Sequence, residues 1–131
     1  MGYSRITLDT HTLIWYLHEE SNIRLSEKAL TTIMEAEANG TIYVPTVVLI
    51  EVMRLLEKGR YPISFDDMLQ EVEKNEVYSI VPLTTAIVRT MRNIHDLELH
   101  DRVIVATAVM TDSALVSMDI SISESYDLVV W

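Results

Sequence analysis

Cysteine is absent from the 131-residue sequence, and glycine and proline occur only three times each. Without cysteine there can be no disulfide, no thiolate metal site and no cysteine nucleophile, so an intracellular setting is permitted. The scarcity of glycine and proline, together with 49% hydrophobic and 23% charged residues, argues against a disordered or linker-rich chain. We therefore expect one compact domain with a single core, spanning residues 1–131.

Long hydrophobic runs are also missing. The longest, such as VPTVVLI at residues 44–50, are far shorter than the ~20 residues that a membrane-spanning helix needs. The first residues, MGYSRITLD, lack the apolar core of a signal peptide. These absences predict no membrane association and a cytoplasmic location.

Basic residues are half as frequent as acidic ones, ten against twenty, which gives a formal net charge of -10. This charge disfavours nonspecific binding to nucleic acid, because phosphate neutralisation comes from lysine and arginine. A carboxylate cluster that holds divalent cations would reverse the local sign, since bound ions are often the largest charges in a site. The composition thus counts against a nuclease unless that nuclease depends on metal.

Short apolar segments alternate with segments of helical periodicity along the chain. Strands are predicted at residues 5–8, 42–44, 78–81, 114–118 and 128–131. Capping residues predict helices that begin at Thr10 or Thr12, Ser26, Thr46, Ser64, Thr84 or Thr85, and near Asp101. Continuous apolar strands are expected when helices cover both faces of a sheet. The pattern therefore predicts an α/β fold with a mainly parallel central sheet flanked by helices.

Helix ends and buried faces are also predicted. The second helix should turn its apolar side chains inward and end with Gly40 as the residue just past it; these side chains are Ala29, Leu30, Ile33 and Met34. The third helix should run to Lys58 and stop at Gly59, and the fifth should continue through Ile94.

Two predicted strands run directly into an aspartate. Residues 5–8 lead into Asp9, and residues 114–118 lead into Asp119. In open parallel sheets, ligands bind beyond the carboxyl ends of the strands, so both carboxylates are candidates for one crevice. The structural alternatives are a helix cap for Asp9 and, for Asp119, a turn residue that bonds its own backbone beside Ser121.

Glu51 lies at the border of the buried face of the third helix. A lone carboxylate there is costly unless it is paired or bound to metal. The alternative is a boundary residue that pairs with Arg54 at position i+3.

Asp101 stands before the apolar run VIVATAVM, where it could simply cap a helix. The stretch HDLELHDR at residues 95–102, however, also holds Asp96, Glu98 and two histidines. Arg102 is the single fixed cation in this stretch, so a divalent ion would balance the acids.

In this order, the four acidic segments resemble a PIN domain, and in particular the VapC-type toxins of prokaryotic toxin-antitoxin pairs. The segments are LDTHTLIWYL, VPTVVLIEVMRLLEKGR, LELHDRVIVATAV and ALVSMD, and the similarity covers essentially the whole chain. The resemblance implies a three-layer PIN-like fold. It also implies an active site made of Asp9, Glu51, Asp101 and Asp119, with Ser117 as the supporting hydroxyl residue before the last acid.

The activity implied by the resemblance is a metal-dependent endoribonuclease. Carboxylates are hard ligands for Mg²⁺ or Mn²⁺, and a bound water is easier to deprotonate for attack on a phosphodiester. Asp9, Asp101 and Asp119 would hold metal, and Glu51 would complete the ligand set or orient the attacking water. The implied partners are an RNA substrate, a cognate antitoxin and a second copy of the chain in a homodimer.

Other polar and aromatic residues have less specific roles. Candidate RNA contacts are Arg54, Lys58, Arg60 and Arg102, although the first three could equally form a solvated helix surface with Glu57 as partner. The histidines lack metal-ligand spacing and are expected to be surface or cap residues; they are His11, His18, His95 and His100. Trp15 and Tyr16 are expected to pack in the core or a dimer interface.

Two alternatives of other classes remain. A haloacid-dehalogenase-like phosphatase or a receiver domain also places aspartate after the first strand, but both need a late lysine, and the last lysine here is Lys74. A PIN-like domain could also act as a non-catalytic RNA-binding or interaction scaffold, with its acids serving only as caps.

Overall fold

A computed structural model describes residues 3–131, so Met1 and Gly2 lie outside the described part. The elements are β1 Arg5–Leu8, α1 Thr10–Leu17, α2 Glu27–Asn39, β2 Thr41–Pro45, α3 Thr46–Glu57, α4 Phe65–Lys74, β3 Tyr78–Val81, α5 Thr85–Met91, α6 Leu99–Thr111, β4 Ala114–Val116, α7 Ile120–Ser125 and β5 Val129–Val130. A 3₁₀ helix, Glu19–Arg24, follows α1.

The five strands form one sheet in the order β3-β2-β1-β4-β5. Every neighbouring pair is parallel, and Ile6 of β1 lies opposite Ile42 on one side and Ala114 on the other. Helices flank this sheet, so the predicted α/β fold with a parallel sheet is confirmed. Because β1 is central and β4 is its neighbour, the chain that leaves each of these strands emerges at the same edge of the sheet.

The core lies around the central strands, whose side chains are buried on both faces. Ile6, Thr7 and Leu8 are fully buried, and so are Leu115 and Val116 of β4. This explains the continuous apolar runs, because helices cover both sides of a parallel sheet. The strands therefore form a fixed platform for the residues that follow them.

Three predicted helix caps are confirmed by hydrogen bonds. Ser26 accepts from the backbone NH of Ala29 at 3.0 Å, and Ser64 accepts from that of Asp67 at 3.1 Å. Thr84 caps α5 through the NH of Ile87 at 3.3 Å. In each case a short side-chain oxygen satisfies one of the helix's free amide donors.

Three other predicted caps are wrong. Asp9, rather than Thr10 or Thr12, precedes α1 and caps it. Pro45 occupies the cap position of α3, and the hydroxyl of Thr46 donates instead to the carbonyl of Val81 at 2.8 Å. This bond ties the start of α3 to the end of β3.

The cap predicted at Asp101 is also wrong, because α6 begins earlier. Glu98 holds the cap position, its side chain makes no capping bond, and Asp101 lies in the first helical turn. The helix already includes Leu99 and His100, so it begins two residues before Asp101. Asp101 is thereby freed from a capping role.

Several element ends and one buried face differ from prediction. Helix α5 ends at Met91, β4 ends at Val116, and β5 covers only Val129–Val130. Met34 is 56% exposed rather than buried, because α2 turns a narrower apolar stripe toward the sheet than the spacing suggested. The 3₁₀ helix and α7 were not predicted, since neither has a run of apolar residues at helical spacing.

The two glycines after helices have different physical roles. Gly59 has a φ of 76°, the left-handed conformation expected after α3. Gly40 is the C-cap residue of α2 with a negative φ. A Cβ atom at Gly40 would lie only 1.9 Å from the backbone oxygen of Ser4. Gly40 is thus required by the close approach of the chain just before β1.

None of the helices within residues 3–131 combines the length and the apolar character needed to cross a membrane.

Candidate active site

A cleft of about 640 Å³ opens at the carboxyl ends of β1 and β4. All four predicted acids line it: Asp9, Glu51, Asp101 and Asp119. They come from the ends of two strands and from two helices. The remaining lining residues are Thr10, His11, Trp15, Arg54, Leu55, Asp96, Leu97, Glu98, His100, Ile104, Met118 and Ser121.

Asp9 follows the central strand and is held by the first turn of α1. Its Oδ1 accepts from the backbone NH of Thr12 at 3.1 Å and from the Thr12 hydroxyl at 2.6 Å. Burial raises the pKa of Asp9, while hydrogen bonds from Ser117 and Thr12 and the nearby His11 oppose this rise. The carboxylate is therefore fixed in position but partly stripped of water, which favours a cationic neighbour.

Asp119 is fixed in a similar way at the start of α7. Its Oδ1 accepts from the NH of Ser121 at 2.8 Å and of Ile122 at 3.4 Å. This agrees with the structural alternative, in which Asp119 bonds its own backbone. Its Oδ2 accepts no hydrogen bond from the described residues, and the residue lines the cleft.

Ser117 lies between the end of β4 and Asp119 and is 1% exposed. Its hydroxyl oxygen accepts from the NH of Asp119 at 3.1 Å. The Ser117 side chain also lowers the pKa of Asp9. Ser117 therefore links the two strand-end acids.

Glu51 reaches the cleft from α3 with a side chain that is 18% exposed. Its Oε2 lies 3.5 Å from Nη2 of Arg54, which is the i+3 pair expected as the structural alternative. Its Oε1 lies 3.4 Å from Nε2 of His100. Glu51 thus has both a local partner and a contact across the cleft.

Asp101 carries the clearest electrostatic perturbation. Burial raises its pKa to about 6, the nearby Asp119, Glu98 and Glu51 add to the rise, and His100 opposes it. Neighbouring negative charges disfavour ionisation because each new charge must be added against their repulsion. Such a group is a candidate for a functional site, since a bound cation would reverse the effect.

His100 is the residue that the sequence prediction placed wrongly. It was expected on the surface or at a cap, but its Nε2 lies 3.4 Å from Glu51, 3.5 Å from Glu98 and 3.5 Å from Asp101. One donor atom each from Glu98, His100 and Asp101 lie within 4.8 Å of one another. The sequence signal for this cluster was the high density of acids and histidines in HDLELHDR. Residues of the first turn of a helix can bring their side chains close together.

The other histidines fit the prediction better. His18 is the C-cap residue of α1 and its ring bonds the Ser21 hydroxyl at 2.7 Å, and His95 is exposed. His11 is exposed but also lines the cleft, with its ring 5.4 Å from that of Trp15.

Thr10 is a second residue that sequence reasoning missed. It is 6% exposed, it lines the cleft, and its Oγ1 has no hydrogen-bond partner among the described residues. A buried hydroxyl without a partner costs about 1–3 kcal/mol. This hydroxyl is closed to solvent, so the cost is not offset by the described residues.

The basic residues divide into two groups. Arg54 lines the cleft, whereas Lys58 and Arg60 are exposed at and beyond the end of α3. Within residues 3–131 the ion-pair partner of Arg54 is Glu51 rather than Glu57. Arg102 does not balance the acids as expected, because its Nη2 donates to the carbonyl of Met91 at 2.7 Å.

Trp15 packs in the core, as predicted, and is 8% exposed. Its Nε1 donates to the hydroxyl of Tyr61 at 3.1 Å. Tyr16 is partly buried and donates to Glu37 at 2.8 Å. Trp15 also forms part of the cleft wall, which gives the acidic site an apolar side.

The residues of the cleft fit a divalent metal ion. Four carboxylates supply hard oxygen donors of the kind that Mg²⁺ and Mn²⁺ prefer. Burial first and the neighbouring carboxylates second raise the pKa of Asp101, and a bound cation would oppose this rise. The fixed geometry of Asp9 and Asp119 leaves little reorganisation for binding.

The fold and the position of the acids define the class of protein. The family model described as the PIN domain matches residues 6–127. The chain belongs to the PIN domain family, whose members are generally nucleases. This membership supports a nuclease as the class of activity, and it decides against the phosphatase and receiver alternatives.

Solved structures with the same fold include VapBC2 from Rickettsia felis, bound to a DNA fragment from their promoter. That chain is 14% identical, with a TM-score of 0.70 and coverage of 95% of this chain and 96% of the other. A toxin-antitoxin complex from Klebsiella pneumoniae is 18% identical, with a TM-score of 0.63 and 96% of each chain covered. No curated protein sequence matches the chain.

Proposed function

We propose that the protein is a metal-dependent endoribonuclease that hydrolyses RNA phosphodiester bonds, and that it is the toxin of a toxin-antitoxin pair. The observation that carries the proposal is the convergence of Asp9, Glu51, Asp101 and Asp119 on one cleft in a chain of the PIN family. Mg²⁺ or Mn²⁺ is the proposed cofactor.

The proposed role of each residue follows from its position in the cleft. Asp9 and Asp119 each have one oxygen anchored by a helix, so they suit rigid metal ligands. Asp101 would complete this set, and Ser117 would keep the two strand-end acids in register. When bound, the metal ion would lower the pKa of a water nucleophile and stabilise charge on the phosphate.

Glu51 is the proposed residue for orienting the attacking water, because it alone among the four acids contacts two cationic or potentially cationic side chains, Arg54 and His100. Arg54 lies in the cleft, where it suits a phosphate adjacent to the cut. Lys58 and Arg60 would extend this basic track along the RNA backbone. The placement of Arg102 against Met91 gives it a structural role instead.

The proposed antitoxin partner is supported by two of the structural neighbours, VapBC2 and a toxin-antitoxin complex. We propose that a cognate antitoxin blocks the cleft, that the chain forms a homodimer, and that it acts in the cytoplasm. Single-stranded or looped RNA is the proposed substrate.

The first test is cleavage of an end-labelled single-stranded RNA by the purified protein with Mg²⁺, Mn²⁺ or EDTA. Asp119→Asn is the site variant and Asp127→Asn, an exposed aspartate outside the cleft, is the matched control. We expect metal-dependent cleavage that Asp119→Asn abolishes and Asp127→Asn retains. Equal cleavage in EDTA, or by Asp119→Asn, would refute the proposed mechanism.

A non-catalytic scaffold is the second candidate, and one observation favours it: Asp9 and Asp119 both satisfy helix caps. Caps alone account for the positions of these two acids. The variant Asp9→Asn separates the candidates, because asparagine also caps helices well. Loss of metal binding with a retained fold would support the nuclease, whereas unchanged metal binding would support the scaffold.

A further inference from the structure

The N-terminal turn of α6 adds a nitrogen atom to an otherwise oxygen-only site. Nε2 of His100 lies 3.4 to 3.5 Å from one carboxylate oxygen each of Glu51, Glu98 and Asp101. One donor atom each from Glu98, His100 and Asp101 fall within 4.8 Å of one another, so a single ion could contact all three. His100 is half-buried, whereas the Glu98 side chain is 78% exposed. The cluster therefore lies at the rim of the cleft.

A second polar feature lies in the wall of the same cleft. The hydroxyl of Thr10 is buried and has no hydrogen-bond partner among the described residues, and Thr10 belongs to the cleft wall. Buried polar groups in folded proteins are almost always hydrogen-bonded. Because the hydroxyl oxygen is closed to solvent, a water ligand of an ion in the cleft would reach it only after the side chain turns toward the cleft.

The chemistry of an imidazole separates one class of metal from another. Mg²⁺ strongly prefers oxygen ligands and keeps several waters. First-row transition ions accept imidazole nitrogen, and their affinities rise along the Irving–Williams series. A carboxylate site that gains one imidazole therefore gains more affinity for a transition ion than for Mg²⁺.

We propose that His100, together with Glu98 and Asp101, ligates the metal ion through nitrogen and makes the cleft select a first-row transition ion over Mg²⁺. This inference rests on the metal site of the proposed function, and it extends that site by Glu98 and His100. His100 is the specificity-determining member because the other donors are carboxylates, which serve both classes of ion.

The test uses the whole chain and Mn²⁺ as a paramagnetic probe. Pulsed electron paramagnetic resonance detects hyperfine coupling from a nitrogen bonded directly to Mn²⁺, and calorimetry measures Mn²⁺ and Mg²⁺ affinities. The variant is His100→Gln, and the matched control is His95→Gln, which changes an exposed histidine of the same segment. We expect nitrogen coupling in the wild type and in His95→Gln and its loss in His100→Gln. We also expect His100→Gln to weaken Mn²⁺ binding by about tenfold or more while leaving Mg²⁺ binding nearly unchanged.

The outcomes separate this inference from the nuclease proposal. Mn²⁺ that binds without nitrogen coupling would overturn the inference, with His100 acting only as an ion-pair partner, and would leave the carboxylate site intact. Coupling that persists in His100→Gln would also overturn it. Nitrogen coupling in a protein that leaves the test RNA uncut would support the inference on its own, because the coupling does not depend on the choice of RNA. Absence of any Mn²⁺ binding would overturn both.

Discussion

Thr10 and Thr12 are both buried near the start of α1, but their hydroxyls differ in hydrogen bonding. The Thr12 hydroxyl bonds both Asp9 at 2.6 Å and the carbonyl of Val116 at 3.1 Å, so it joins α1 to the ends of β1 and β4. The Thr10 hydroxyl bonds nothing among the described residues. Two buried threonines therefore make opposite contributions to the free energy of folding.

Replacing each threonine with valine measures that difference. Valine has nearly the same shape but no hydroxyl, so Thr10→Val removes an unsatisfied group and is expected to raise the free energy of unfolding by about 1 kcal/mol. Thr12→Val removes the hydroxyl donor, although Asp9 Oδ1 keeps the backbone NH of Thr12 and the Val116 carbonyl keeps that of Asp9, and it is expected to lower the free energy of unfolding by about 1 kcal/mol. Urea unfolding without divalent metal checks both values, and a loss of stability in Thr10→Val would contradict the assignment of its hydroxyl.

Asp101 should make stability depend on pH in a direction opposite to that of most acids. Its folded-state pKa is raised from 3.8 to about 6, so protonation favours the folded state. The stabilising contribution is complete below about pH 4 and is lost as the pH rises to about 6. Asp101→Asn removes this loss, and we expect it to raise the free energy of unfolding at pH 7 relative to its effect at pH 4.

The measurement is urea unfolding of the wild type and Asp101→Asn between pH 4 and pH 8 in EDTA, with Asp127→Asn as the exposed control. A difference between wild type and Asp101→Asn that does not change with pH would contradict the raised pKa. Metal binding at this carboxylate should weaken below about pH 6, because protons then compete for it.

At the residue scale the sequence predicts the acids better than their surroundings. Asp9 and Asp119 were identifiable because each follows an apolar strand. His100 had only the acidic stretch HDLELHDR as a signal, and Thr10 had none, because burial of a hydroxyl depends on the packing of the whole fold. The contact of His100 with Glu51 joins α6 to α3, and no local pattern encodes it.

The helices and strands were predictable where an apolar pattern was long and capped. Helix α4 follows the predicted cap Ser64 and buries Met68 and Val72. Helix α7 escaped prediction because its six residues, ISISES, carry little apolar periodicity and depend on the cap from Asp119. Short elements of this kind are determined by tertiary contacts rather than by propensity.

The two post-helical glycines give a matched test at the element scale. Gly40→Ala would place a Cβ 1.9 Å from the oxygen of Ser4, so the start of β2 or the chain before β1 must shift. Gly59→Ala meets no atom within 4 Å but retains a φ of 76°. We expect Gly59→Ala to cost about 1 kcal/mol and Gly40→Ala to cost about 3 kcal/mol or more.

Thermal unfolding of the two variants ranks these costs. An equal or smaller effect of Gly40→Ala would show that the approach of Ser4 to Gly40 is easily relaxed. The result bears on function only indirectly, since Gly40 and Ser4 lie at the starts of β2 and β1, whereas Asp9 follows the far end of β1.

The whole molecule carries a formal charge of -10, and six carboxylates line its cleft. Self-repulsion of this kind destabilises the compact state. A divalent ion that binds only the folded protein stabilises it by about 2.7 kcal/mol at one hundred times its dissociation constant. For a chain of this size we expect the melting temperature to rise by roughly 10 °C.

Calorimetric melting with Mg²⁺ or Mn²⁺ checks this expectation, with NaCl at matched ionic strength as the control for screening. Asp119→Asn should lose most of the divalent effect and keep the NaCl effect. Equal shifts with NaCl and Mg²⁺ would show that screening, rather than binding in the cleft, stabilises the molecule.

The strand order has a consequence for an interrupted polypeptide. Asp9 and Glu51 precede the exposed segment around Asn93, whereas Asp101 and Asp119 follow it, and β1 pairs with β4 across that divide. A single backbone cut at this segment would leave two acids on each fragment. Neither fragment alone would contain all four acids of the cleft. If the intact chain cleaves RNA as proposed, RNA cleavage by a mixture of the two fragments would show that the central sheet has reassembled.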